Sequence, residues 1–309
     1  MPRLARIKIE DGGAYYHLCS RTAGLKGEYP LQNKLCRRAL IDLFERFSSV
    51  YCCKILGFCV MGNHYHLIVH FDERREMTKK ELWKRASLLY PKMVLKGWLK
   101  SKWERFHNRI FDVSELMRNV QSAFARFYNR TFGRRGRFWA DRFKSTLLED
   151  EKQVMDCLLY VDLNPVRAGL VERPEEYEGS SVYYREIAMD KWMLPLGDLT
   201  GHKKPKAALR DYKARLYYRG NVSTKQGQVD IPKRILREEE ARGFKERGIF
   251  RKRLRHFADG VVLGSESYVR QEIEKLREQG TYLRRKNPIA HLKGAGTTLR
   301  PQRKTAITF

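Results

Sequence analysis

Apolar runs of strand length alternate along this chain with longer stretches of helical period, and the alternation outlines its architecture. Ala14-Tyr15-Tyr16-His17-Leu18-Cys19-Ser20-Arg21 reads as a first strand, closing in the loop Thr22-Ala23-Gly24. Residues 33–48 place Leu35, Ala39, Leu40, Leu43, Phe44 and Phe47 at helical spacing, with Arg and Glu opposite. Residues 51–60 and 64–71 are rich in aromatic and β-branched residues, and Met61-Gly62-Asn63 between them supplies turn chemistry, which predicts a β-hairpin. Asp112 with Glu115 makes a capping-box start for a helix striped by Leu116, Met117, Val120, Phe124 and Phe127 and ended by Gly133. A second such start, Asp150 with Gln153, opens a helix that must end near Pro165. Further helices are expected at 206–219, 231–247 and 265–279, the last capped by Ser265 and ended by Gly280. The stretch from Arg284 reads as a flexible basic tail.

Residues 72–111 break the pattern. They are strongly charged, with Trp83, Trp98 and Trp103 spaced among lysines, and predict a helical insertion. Its tryptophans can either pack onto the domain or present stacking faces to bases between cations.

Charge narrows the partners. The 309 residues hold 63 Lys and Arg against 36 Asp and Glu, a net +27, which predicts attraction to a polyanion. Residues 201–309 alone carry 28 Lys and Arg against 11 Asp and Glu, +17 of that total. No run of 18 apolar residues and no signal-like N-terminus is present, so a membrane is the weaker choice. Cys19, Cys36, Cys52, Cys53, Cys59 and Cys157 sit inside apolar segments without a Cys-x-x-Cys pair, as in the reduced core of a cytoplasmic protein. Nucleic acid is the expected partner.

Candidate chemistry centres on the hairpin. Alternate strand residues share a face, so His64 and His66 point the same way and can converge on one ion. A histidine-triad or metallo-hydrolase pattern fails at Ile68, and His70 lies about 13 Å further along the strand. His17 can face the same site or merely the sheet surface. The run 134–145 combines Arg134, Arg135, Arg137, Arg142 and Lys144 with Phe138, Trp139 and Phe143, and its glycines allow close approach to a phosphate. Arg134, Arg135, Arg137, Trp139, Arg142 and Lys144 are therefore the expected DNA contacts. On the helix before Pro165, Tyr160 and Asn164 are one turn apart on one face.

The His17 strand, Gly62-Asn63-His64-Tyr65-His66-Leu67, Phe138-Trp139-Ala140-Asp141-Arg142-Phe143-Lys144-Ser145 and Leu159-Tyr160-Val161-Asp162-Leu163-Asn164-Pro165-Val166-Arg167 occur in this order. Together they resemble the REP-associated tyrosine transposases, single-tyrosine members of the histidine–hydrophobic–histidine (HUH) nucleases. The resemblance covers roughly residues 10–185 and is interrupted by the 72–111 segment; 254–269 also resembles a stretch found in longer relatives. It implies an α+β fold with a ferredoxin-like antiparallel sheet, helices on one face, a transposase domain over 1–185 and a basic, mostly helical region over 186–309. It further implies a Mg²⁺ or Mn²⁺ ion held by His64, His66 and Asn164, and Tyr160 as nucleophile. The expected substrate is single-stranded, hairpin-forming DNA, cut through a 5′-phosphotyrosine intermediate by a monomer or homodimer associated with the nucleoid. Asn at 164 and Asp at 156 disfavour the two-tyrosine subclass. Two alternatives stay open: a domesticated protein that binds structured DNA or RNA without turnover, and a zinc phosphoesterase acting on nucleotides.

Overall fold

Strand segments distant in sequence meet in one sheet whose two faces are covered by different helices. The computed structural model describes residues 7–8, 13–25, 27–222, 227–245, 260–280, 289–292 and 296–299. Strands β1 (Ala14–Arg21), β2 (Cys53–Val60), β3 (His64–Phe71), β4 (Lys144–Leu148), β5 (Val262–Gly264), β6 (Ile289–Leu292) and β7 (Gly296–Leu299) are arranged in the order β2-β3-β1-β4-β5-β7-β6. All neighbours are antiparallel except β4 and β5. With α1 (Lys34–Val50) after β1 and α5 (Val113–Thr131) before β4, the first four strands follow a β-α-β-β-α-β course. The α+β class expected from the sequence is the class observed.

Alternation along β3 divides the interior in two. Tyr65, Leu67, Val69 and Phe71 join Tyr16 and Leu18 of β1 in a cluster with Leu40, Phe44 and Phe47 of α1 and Val120 and Phe124 of α5. Ile68 points the other way, with Cys59 and Leu148, into a cluster closed by Val154, Leu158 and Val161 of α6 (Glu151–Asp162) and Tyr212 and Leu216 of the Pro205–Gly220 helix. Helices therefore lie on both faces, which corrects the expectation of one helical face. The reason is legible in Leu67-Ile68-Val69: consecutive apolar strand residues must be covered on both sides. Close approach of α6 is possible because position 57 is glycine. A Cβ there would sit 2.4 Å from Leu158 Cδ2 and 2.8 Å from Ser181 Oγ.

Local signals set the helix starts. Asn33 Oδ1 accepts from the Leu35 and Cys36 amides, Asp112 from Ser114, Asp150 from Gln153, and Ser265 Oγ from Tyr268 at the start of the Glu266–Glu278 helix. Gly280 follows that helix at φ +66°, the left-handed conformation expected of its stop. The capping box at Asp112 is only half formed, because the Glu115 carboxylate instead accepts from Arg109 (2.6 Å) and Arg118 (2.5 Å). Leu35, expected on the core stripe of α1, is 55% exposed; Cys36 and Ile41 take the inward positions.

The insertion is helical: α2 (Lys79–Ala86), α3 (Lys92–Lys96) and α4 (Lys100–Arg109). Its tryptophans pack. Trp83 and Trp103 stack at 5.9 Å, Trp98 and Trp103 meet at 4.8 Å, and all three rest against the α1/α5 cluster. The C-terminal region is not simply helical. Helices Pro205–Gly220, Lys233–Ala241 and Glu266–Glu278 form near the expected ranges, but Val262–Gly264, Ile289–Leu292 and Gly296–Leu299 extend the sheet. Two of these strands fall where a flexible tail was expected; residues 284–288, 293–295 and 300–309 of that tail lie outside the described residues, as do 254–259. None of the six cysteines is in a disulfide and all are buried. Among the described residues no helix is long and apolar enough to cross a membrane.

Candidate active site

The polar face of β3 is where the sheet and α6 meet. Cross-strand partners share a face, so the register places Arg21 beside His64, Cys19 beside His66 and His17 beside Ile68. On the far side of β1, Lys144 is opposite Cys19 and Thr146 opposite His17. One face thus gathers His64, His66, His17, Arg21 and Lys144. α6 brings Tyr160 to it: the phenol ring lies edge-on to His66 at 5.7 Å between centroids and to His17 at 6.3 Å.

The imidazoles are held by specific bonds. His17 Nε2 and His66 Nδ1 are 2.9 Å apart, and each residue is only 1% exposed. His64 Nδ1 lies 2.8 Å from Asn63 Oδ1. An amide oxygen only accepts, so His64 carries its proton at Nδ1 and presents a lone pair at Nε2, the state a metal ligand requires. Burial pushes His64 down to about 4, with the Arg21 charge adding to it. His66 lies well below the usual histidine range, again chiefly through burial, with His17, His64 and Lys144 contributing. Both rings are therefore neutral at pH 7, as ligation demands. His70 stands apart, its ring 4.5 Å from Tyr15 and its Nδ1 3.7 Å from Asp72.

Asn164 opens the short helix Asn164–Arg167 and donates its amide nitrogen to the Tyr160 carbonyl (2.9 Å) and the Val161 carbonyl (3.2 Å). It closes the end of α6, which leaves only its Oδ1 for a ligand role. Among the described residues no group of three or more His, Cys, Asp or Glu is set to hold an ion. The donor set is two imidazoles, compatible with an ion that keeps several waters or phosphate oxygens. α6 is locked on its other side by Asp162, which accepts from Tyr212 Oη (2.7 Å) and from Ser181 Oγ (2.9 Å). Burial raises that carboxyl to about 6, partly offset by these hydroxyls.

The basic loop adjoins this face. The Ala23 amide donates to the Phe138 carbonyl (2.7 Å), the Ala140 amide to the Arg21 carbonyl (2.9 Å), and the Thr22 amide to the Asn63 carbonyl (2.9 Å). The end of β1 thereby ties residues 134–142 to the turn before His64. Arg134, Arg135, Arg137 and Arg142 are exposed and Lys144 is half-buried. Trp139 corrects the expected DNA contacts. It is 8% exposed, packs on Tyr65 (5.4 Å) and Phe124 (5.6 Å), and its indole N–H donates to the Gln121 carbonyl (2.9 Å). A ring buried in this way is not open to stacking with a base. Phe138 and Phe143 are buried too. Sequence reasoning left His17 between two readings; the β1–β3 pairing that brings its ring to His66 joins segments about 50 residues apart and leaves no local signal.

No family model and no curated protein matches the chain. A solved structure described as a REP-associated tyrosine transposase bound to a REP hairpin is similar at a TM-score of 0.34 and 16% identity, over 61% of this chain and 86% of that one. A likeness at that level assigns neither residue roles nor activity.

Proposed function

We propose that the chain is a metal-dependent single-stranded DNA endonuclease and strand transferase of the HUH transposase type, with the β-α-β-β-α-β unit as its ferredoxin-like core. The observation that carries this reading is the meeting of the Tyr160 phenol with the His66 and His17 rings, 5.7 and 6.3 Å away, on a face bordered by exposed arginines. His64 and His66 would hold Mg²⁺ or Mn²⁺, which when bound would polarise a non-bridging phosphate oxygen and offset transition-state charge. Asn164 serves the end of α6 and, through Oδ1, is the candidate third ligand. The Tyr160 oxygen attacks phosphorus and loses its proton, and the 3′-oxygen leaves and is protonated. The products are a 5′-phosphotyrosine and a free 3′-OH. Attack of a 3′-OH on that ester releases the phenol and rejoins the strand with no external energy source. Arg134, Arg135, Arg137, Arg142 and Lys144 neutralise the flanking backbone.

The sparse donor set of two imidazoles among the described residues favours a second reading: binding of structured single strands without turnover. One assay separates them. Full-length protein is incubated with labelled hairpin oligonucleotides and Mn²⁺, and denaturing gels are read for a covalent adduct. An adduct that disappears in Tyr160→Phe is the expected result. Binding without an adduct supports the second reading, an adduct that persists in Tyr160→Phe moves the nucleophile elsewhere, and release of small nucleotides points to a phosphoesterase.

A further inference from the structure

Tyr29 is seated on the turn that leads into the His64 strand, with much of its ring left to solvent. It precedes the 3₁₀ turn Pro30–Gln32, which is docked on the hairpin: the Leu31 amide donates to the Gly62 carbonyl (2.9 Å) and the Leu31 side chain is fully buried. The Tyr29 ring lies against Gly62, where a Cβ would come within 2.9 Å of ring atom Cδ1 and 3.2 Å of Cγ. The rest of the side chain is left to solvent, 54% exposed. Gly62 adjoins Asn63, whose side chain holds His64, so the ring is seated against a residue two positions before the first imidazole. An aromatic ring seated on a backbone turn and open to solvent on its other side offers a face on which an unpaired base can stack.

We infer that Tyr29 is a stacking platform for an unpaired nucleobase of the DNA strand whose phosphate lies at His64 and His66. This inference rests on the single-strand reading above and adds to it a base-recognition subsite. Phosphate charge and base stacking then come from different elements: the former from Arg21 and the 134–144 loop, the latter from the 29–31 segment. The ring needs no hydrogen bond from the base, so the subsite tolerates any sequence and rejects a strand that lacks bases.

The test uses the full-length chain carrying Tyr160→Phe, so that binding is read without cleavage. Two probes of equal charge are titrated by fluorescence anisotropy: an oligothymidylate of about 20 nucleotides and an abasic deoxyribose-phosphate oligomer of the same length. Tyr29→Ala should weaken the thymidylate complex roughly five- to 100-fold and leave the abasic complex unchanged. Tyr29→Trp should bind as the parent does. Tyr29→Leu, which still covers Gly62, should lose as much as alanine, which guards against a folding defect in Tyr29→Ala. Equal losses on both probes, or none on either, overturn the stacking role alone. A parent protein that binds neither probe overturns the single-strand reading with it.

Discussion

The two sides of β3 differ in what they can lose. Tyr65, Leu67, Val69 and Phe71 face a mainly apolar layer under α1 and α5, whereas His64 and His66, one residue out of phase, face α6 and Tyr160. The same backbone, with the same register, supports a packing surface and a chemical one. The strand is held rigid by the first and is therefore able to fix two imidazoles on the second. The sharpest break in this comparison comes from removing one oxygen on the chemical side. Tyr160→Phe is expected to abolish strand cleavage and the adduct outright while leaving the thermal midpoint nearly unchanged, because the ring and its contacts with His66 and His17 are kept. Unreduced cleavage would move the nucleophile off this face.

The converse break is on the packing side. Leu67 is 1% exposed, and Leu67→Ala should cost about 2–5 kcal/mol in a urea or thermal unfolding measurement. Cleavage per folded molecule should fall far less than in Tyr160→Phe. An equal loss of activity without loss of stability would mean that the two sides of the strand are not separable.

The sequence disclosed these two sides unequally. Hairpin, helix starts and the spacing of His64 and His66 are local properties, written in Met61-Gly62-Asn63, in Asp112, Asp150 and Ser265, and in the period of two. What depends on register was hidden. His17 meets His66 only because β1 pairs with β3, and Trp139 reads as a DNA contact until Tyr65 and Phe124 are found around it. Strands of three and four residues in the C-terminal region are too short to show a period at all.

An intermediate effect should come from the contact between α6 and β2. Gly57→Ala places a methyl group into Leu158 and Ser181, and overpacking of that kind costs about 1–3 kcal/mol. Ser181 also bonds Asp162, so the added methyl pushes on the anchor of the helix that carries Tyr160. Activity should drop more than the stability change accounts for. A drop that tracks stability alone would show that α6 shifts as a unit without moving its phenol.

Acid should act through the chemical side. In metal-free protein His64 is held down to about 4 and His66 well below the usual histidine range, so below about 6.5 the unfolded chain takes up protons that the folded chain refuses. Stability on their account falls as pH drops from about 6.5 to 4. Asp162, raised to about 6, acts in the opposite sense: its contribution is present at low pH and is lost as pH rises through about 6. Asp162→Asn should therefore steepen the acid loss of urea midpoint, and a flatter profile in that variant would contradict the assignment.

The smallest expected effect concerns the exposed arginines, and it distinguishes them from every residue above. Arg137 and Arg142 are exposed on the loop tied to Arg21 and Ala23, with backbone bonds at 2.9 and 2.7 Å doing the tying. Their replacement by alanine removes no buried contact, so unfolding should change little. A phosphate contact releases counterions on binding, and each one lost should lower the slope of log affinity against log salt by about 0.7 on a single strand. Tyr29 variants, which alter stacking and not charge, should leave that slope where it was. If Arg137→Ala and Arg142→Ala leave the slope intact as well, the strand does not run over this loop, and the basic insertion or the C-terminal cations become the place to seek its path.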